Sequence, residues 1–166
     1  MSKIASLKPS SDAIANRSAN EHEWPTFVGE QDMQEKDHFI CRNGLEFAGT
    51  HLLIDFWGAE GLTDLELMEA KFRECVEACG ATLLHIHLHH FTPNGGISGV
   101  AVLAESHISV HTWPERGYAA FDIFMCGDAH PENAVPVLRE AFQPTRVSMS
   151  EELRGLVKNG EFSGQD

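Results

Sequence analysis

Short apolar runs alternate with two stretches of helical period between about residues 45 and 152. Phe47 to Trp57, FAGTHLLIDFW, reads as a buried strand closed by a glycine-containing turn. The next stretch carries Leu65, Leu67, Met68, Phe72, Val76 and Cys79 on one stripe and stops at Gly80, which predicts a helix. Thr63, with Glu66 three residues on, is expected to cap it. ATLLHIHLHHF alternates as a strand does, and Pro93-Asn94-Gly95-Gly96 separates it from the apolar strand SGVAVLA. HISVHTW and YAAFDIFMC, joined by Pro114-Glu115-Arg116-Gly117, read as a hairpin. Pro131 opens a second helix through Ala134, Val135, Val137, Leu138 and Phe142, and TRVSMS makes a last short strand.

Two helices among five or six strands predict an α+β fold, a two-layer antiparallel sheet with helices on one face. SGVAVLA is apolar on both sides, so the second sheet face also needs a cover. A second copy of the chain is the simplest, giving a homodimer with α-β-β-α layering. Residues 1–44 are polar and aperiodic and are expected to form a mobile extension; 45–152 form the domain, and 153–166 a polar tail.

Composition narrows the partners. The chain has 166 residues, with 12 Lys and Arg against 25 Asp and Glu, a formal charge of −13. Such a surface repels phosphate backbones and anionic lipid, which argues against nucleic acid and membrane partners. No apolar run approaches the roughly 20 residues of a membrane span, and no secretory signal is present, so a cytoplasmic location is expected. Cys41, Cys75, Cys79 and Cys126 include no CxxC pair and are expected to be free thiols.

Candidate chemistry concentrates between Ser98 and Cys126. If the hairpin closes over 114–117, Trp113 opposes Tyr118 and Glu105 opposes Cys126, placing a thiol beside the Glu105-Ser106 peptide. His111 and Cys126 then share a face, whereas Ser106 needs a bend near 104–107 to join them. Taken alone, these residues also fit a bland reading. Half-buried Ser and His often satisfy each other, and Cys126 could be a small buried hydrophobe.

The run SGVAVLAESHISVHTWPERGYAAFDIFMCGD resembles the signature of the small prokaryotic S-adenosylmethionine decarboxylases, pyruvoyl enzymes of polyamine synthesis. The likeness extends through GTHLLIDFW, GATLL and HHFTPNG upstream and TRVSM downstream, covering about residues 45 to 150. It implies an α-β-β-α dimer of processed protomers, (αβ)2, whose precursor cuts itself between Glu105 and Ser106. The Ser106 hydroxyl would attack the Glu105 carbonyl to form an ester, and β-elimination and hydrolysis would leave a pyruvoyl group. By position His111 matches the processing base, Ser98 the serine that assists processing, and Cys126 the proton donor of turnover. The pyruvoyl carbonyl would form a Schiff base with the substrate amine. A histidine pKa near 6.5 and a thiol pKa near 8.5 suit a base and a proton donor at neutral pH.

Phe91 resembles the aromatic that stacks on adenine, and Glu115 the acid that binds the ribose hydroxyls; read alone, Phe91 also fits a core residue and Glu115 a solvated turn residue. The loop Pro93-Asn94-Gly95-Gly96-Ile97 is one residue longer than the family's usual Pro-x-Gly-Val. His85, His87 and His89 fall on one strand face, a spacing that could hold zinc. No carboxylate or thiol joins them there and the family uses no metal, so a hydrogen-bonded or interface role is expected. Other readings are the same pyruvoyl chemistry on L-arginine or L-ornithine, and a catalytically inactive regulatory paralogue. The nucleoside-binding pair Phe91 and Glu115 argues against the first, and the complete set Ser98, Ser106, His111 and Cys126 against the second.

Overall fold

The structure, a computed structural model, describes residues 39–157. Its central feature is a six-stranded antiparallel sheet built from β3 (Gly49–Trp57), β4 (Leu83–His90), β5 (Ile97–Leu103), β6 (Ser106–Trp113), β7 (Tyr118–Met125) and β8 (Arg146–Arg154). The order across the sheet is β4-β5-β6-β7-β3-β8. A short hairpin, β1 (Ile40–Arg42) and β2 (Leu45–Phe47), precedes it. Helices α1 (Leu65–Cys79) and α2 (Ala134–Phe142) complete the fold.

Strand alternation divides the sheet into two unlike faces. Leu52, Ile54, Phe56, Ala101, Ile108, Val110, Phe121, Ile123 and Met125 point to one side and are buried in a core with Met68, Phe72, Leu138 and Phe142 of the helices. Each large side chain removed from water there contributes about 1.5–3 kcal/mol. Residues at the alternate positions form the opposite face, which neither α1 nor α2 covers. This is the predicted two-layer α+β arrangement, with both described helices on one side.

Asp64, rather than Thr63, caps α1: its backbone is extended and its carboxylate accepts from the Leu67 amide at 2.9 Å. A carboxylate at this position also meets the positive end of the helix. The shift puts Glu66 second in the helix, out of the capping-box position. The second helix is preceded by one 3₁₀ turn, Pro131–Asn133. Pro136 falls in its first turn, where the missing N–H has no intrahelical partner to lose.

The terminal boundaries differ from expectation where the structure describes them. Of the extension expected over 1–44, residues 1–38 lie outside the described residues, but Ile40–Arg42 form β1. Asn43 and Gly44, at φ 53° and 76°, make the tight reversal into β2. Both positive angles are those of the two-residue hairpin turn that Asn-Gly favours. β8 continues to Arg154 because it pairs along the whole of β3, from Trp57↔Arg146 to Gly49↔Arg154. The expected tail boundary at residue 153 therefore falls inside a strand. Residues 158–166 lie outside the described residues.

Candidate active site

The first group of candidate residues gathers where β5 begins and β6 ends. Ser98 stands directly opposite His111 in the β5–β6 ladder, and Ser98 Oγ is hydrogen-bonded to His111 Nδ1 at 2.8 Å. A cleft of about 360 Å³ opens beside this pair, lined also by Phe91, Trp113 and Glu115. Phe91 is 49% exposed, which removes the reading of it as a core residue. Its backbone is held by the loop, since its amide donates to the Gly96 carbonyl and its carbonyl accepts from Gly95. Glu115 lies in the 3₁₀ turn Pro114–Arg116 between β6 and β7, closed by Gly117 at φ 55°. That turn gives the expected pairing of Trp113 with Tyr118.

The second group lies at the other end of the same strands. Leu103 pairs with Ser106 across a turn made by Ala104 and Glu105, and Glu105 has φ 62°. A left-handed conformation in a residue with a side chain carries backbone strain. It sits at the residue whose carbonyl the cleavage reading selects. The β5–β6 register is unbroken from Leu103↔Ser106 to Ser98↔His111, so β6 has no bulge near 104–107 of the kind expected to swing Ser106 onto the face of His111. The turn does bring the Ser106 hydroxyl to the start of the Cys126 segment, where Ser106 Oγ accepts a hydrogen bond from the Cys126 amide at 3.2 Å. The β6–β7 register is the expected one, although the regular ladder stops at His107↔Phe124 and does not reach Glu105 and Cys126. Burial chiefly, and the Glu105 carboxylate secondarily, push the Cys126 thiol above its ordinary value.

The structure thus brings Ser98, His111, Phe91 and Glu115 together, and separately Ser106, Cys126 and Glu105, but it does not bring the two groups together. Ser106 and His111 are five positions apart on the extended strand β6, which spaces their backbones by about 16 Å. His111 therefore cannot reach Ser106 of its own chain while β6 is intact, a correction to the simple single-chain picture. The sequence position of His111 revealed its type but not this separation, because alternation reports faces and not distance along a strand.

His85, His87 and His89 occupy the uncovered face opposite Val102, Val100 and Ser98, with His90 on the other side. His89 packs edge-on against Phe91, with ring centroids 4.5 Å apart. Among the described residues no three His, Cys, Asp or Glu side chains are placed to hold a metal ion. The cysteines are free; Cys75 and Cys79 are buried, and burial raises both thiols, Cys79 to about 11. Two further residues belong to the first group. Trp113 lines its cleft, and Thr112, behind it, is 8% exposed. Thr112 is a polar residue in the core-facing series Ile108, Val110, Thr112, and that interruption of an apolar stripe is the signal that marks it.

Fold and residue groups together define a two-layer α+β enzyme class in which a strand-end serine is bonded to the backbone of a cysteine. The family model for S-adenosylmethionine decarboxylase matches residues 50–155. The chain belongs to the S-adenosylmethionine decarboxylase family. It is 44% identical over 110 residues to the S-adenosylmethionine decarboxylase proenzyme of Thermomicrobium roseum, covering 66% of this chain and 95% of that one. It is 46% identical over 112 residues to the proenzyme of Methanococcus vannielii, covering 66% and 91%. The crystal structure of the adenosylmethionine decarboxylase from Aquifex aeolicus superposes with a TM-score of 0.61 at 31% identity, covering 72% of this chain and 98% of that one.

Proposed function

We propose that the chain is a self-processing decarboxylase of S-adenosylmethionine, releasing carbon dioxide and decarboxylated S-adenosylmethionine for spermidine synthesis. The observation that carries this reading is the Glu105-Ser106 turn, with Glu105 left-handed and the Ser106 hydroxyl held beside Cys126. Ser106 Oγ attacks the Glu105 carbonyl; the new C–O bond replaces the C–N bond of the peptide and the hydroxyl proton passes to the Ser106 nitrogen, leaving an ester and a free amine. Removal of the Ser106 α-proton then expels the Glu105 carboxylate, and water converts the resulting enamine to a pyruvoyl end with loss of ammonia. The residues present fit such a group, because its precursor is Ser106 itself and the backbone of Cys126 is hydrogen-bonded to it. When formed, a pyruvoyl group supplies an electron sink for the bond to the departing carboxylate. The Cys126 thiol, kept protonated by burial, holds the proton that returns to the substrate carbon.

The separation of the two residue groups supports a homodimer of processed protomers, (αβ)2. The uncovered face carries Leu53, Trp57, Val102 and Trp113, each at least 36% exposed, together with the histidines. Two such faces packed about a two-fold axis, with the Ser106 end of one over the His111 end of the other, complete two sites at once. His111 of the second copy is then the base that takes the Ser106 α-proton, with Ser98 orienting its ring. Phe91 and Glu115 of that copy offer a stacking surface and a ribose-diol acceptor. L-arginine and L-ornithine have neither purine nor diol for these two groups to engage.

Intact-mass analysis, followed by carbon dioxide release from S-adenosylmethionine, arginine and ornithine, tests both steps. Chains of 1–105 and 106–166 with a pyruvoyl end, and turnover of S-adenosylmethionine, are expected. A chain that stays whole with a serine hydroxyl sinks the enzyme reading. Turnover of arginine or ornithine alone sinks only the substrate assignment.

A further inference from the structure

Thr112 is one of two buried polar residues among those described, and its hydroxyl is fully used. It accepts from the Ile97 amide at 2.7 Å and donates to the Leu62 carbonyl at 3.0 Å. Both bonds are buried and join β6 to segments distant in sequence. The β5–β6 pairing ends at Ser98↔His111, so the side chain of Thr112 supplies the rung after the last backbone pair. Ile97 lies between Ser98 and Gly96, whose carbonyl accepts from the Phe91 amide at 2.7 Å. Leu62 lies in the loop whose Ala59 amide donates to the Gly117 carbonyl, beside the Glu115 turn. A single hydroxyl therefore ties together the strand that presents Ser98, the loop that presents Phe91 and the segment packed against the Glu115 turn.

We propose that Thr112 is a positioning residue: from the core side of β6, its hydroxyl sets Ser98 against His111 on the other side and fixes the Phe91 loop. It touches no reacting atom. A buried N–H and a buried carbonyl would both lose their partner if the hydroxyl were replaced by a methyl of similar size, and β5 would shift to find others. The Ser98–His111 bond is the first contact that such a shift breaks. The role in processing rests on the functional reading above, whereas the geometric claim about His111 does not.

The test compares Thr112→Val, which removes the hydroxyl, with Thr112→Ser, which keeps it. In a Ser106→Ala background that stays one chain, the His111 Nδ1 nitrogen resonance is followed in histidine-labelled protein. Thr112→Val is expected to move it in the direction that Ser98→Ala does, and Thr112→Ser to leave it in place. In chains retaining Ser106, Thr112→Val is expected to slow processing roughly tenfold, since small misplacements of reacting groups are costly. Added to Ser98→Ala, the same substitution should cost less than about twofold, because the two changes act through one contact. A resonance unmoved by Thr112→Val, or an equal slowing with and without Ser98, overturns the assignment and leaves Thr112 as ordinary core. Normal processing by Ser98→Ala would instead remove Ser98 from the processing reading, and the resonance alone would then decide Thr112. Should Thr112→Val not fold, Thr112→Cys, a weaker hydrogen-bonding group of similar size, should give a partial movement; none at all overturns the proposal.

Discussion

Ser106 and His111 share one strand and cannot meet within it. Five residues of extended chain hold them about 16 Å apart, one at each end of β6. If a second copy supplies the missing half, two inactive variants should repair each other. Ser106→Ala and His111→Ala are each expected to remain unprocessed. Co-expressed, they form mixed dimers in which one site joins an intact Ser106 to an intact His111. With random pairing about half of the Ser106-bearing chains should then be cut, as two-fold symmetry requires. Differential tags and intact mass read the fraction; no cleavage in the mixed dimer would rule out a shared site.

Cys126 is expected to set the alkaline limit of turnover. Its raised thiol pKa, from burial first and Glu105 second, means that the proton to be donated is still present at pH values where an ordinary thiol would be losing it. The kcat of processed enzyme should hold beyond about pH 8.5, the free-thiol value, and fall only above it. Glu105→Gln removes a negative charge that opposes thiolate formation, so in the processed fraction the fall should move to lower pH. A profile indifferent to that substitution would detach the alkaline limb from Cys126.

His107 makes a prediction about stability. Burial, and then the neighbouring His51, lower its pKa from 6.5, with Asp122 opposing. The native state therefore disfavours the proton that the unfolded chain accepts near 6.5, so this contribution is complete above that value and is lost as pH falls through it toward the native pKa. In the single-chain Ser106→Ala protein, the urea midpoint should drop between about pH 7 and 5, and His107→Gln should flatten the drop. An unchanged slope in the variant would place the acid sensitivity elsewhere.

Glu115 borders the Phe91 cleft on an exposed turn, where it can accept both hydroxyls of a ribose. Hydrogen bonds to a charged group are worth about 1.5–3 kcal/mol, so Glu115→Gln should raise KM for S-adenosylmethionine roughly tenfold or more. Processing, which involves no ribose, should proceed normally. A processing defect with unchanged KM would reverse the assignment.

The order of strands and helices was readable because apolar periods of two and of about 3.6 are imposed by burial against one core. The hairpin register was readable because Pro114 and Gly117 leave few ways to close the turn. The β1–β2 hairpin announced itself in Asn43-Gly44, but three-residue strands show no period, and the polar surroundings masked the signal. β8 was cut short for a related reason: as an edge strand with both sides largely exposed, it carries little apolar alternation. Among the site residues, Ser98 and His111 stand out in the sequence through resemblance, and their mutual contact follows from register. Their distance from Ser106 is not carried by alternation, which reports the face of a strand and not the length along it.

The two-residue turn at Ala104-Glu105 is also the only short covalent tie between β5 and β6. Cleavage there would sever the sheet between two inner strands that six residue pairs hold in register. Before the cut, β6 meets β5 as a tethered neighbour, at the high effective concentration that a short linker confers. Afterward, two separate polypeptides would have to find each other by diffusion, and the chain segment that guided their first encounter would no longer exist. The precursor is then the form that can fold spontaneously, and the mature enzyme inherits an arrangement it cannot easily rebuild. Its lifetime would be governed by how slowly it comes apart rather than by an equilibrium with its unfolded chains.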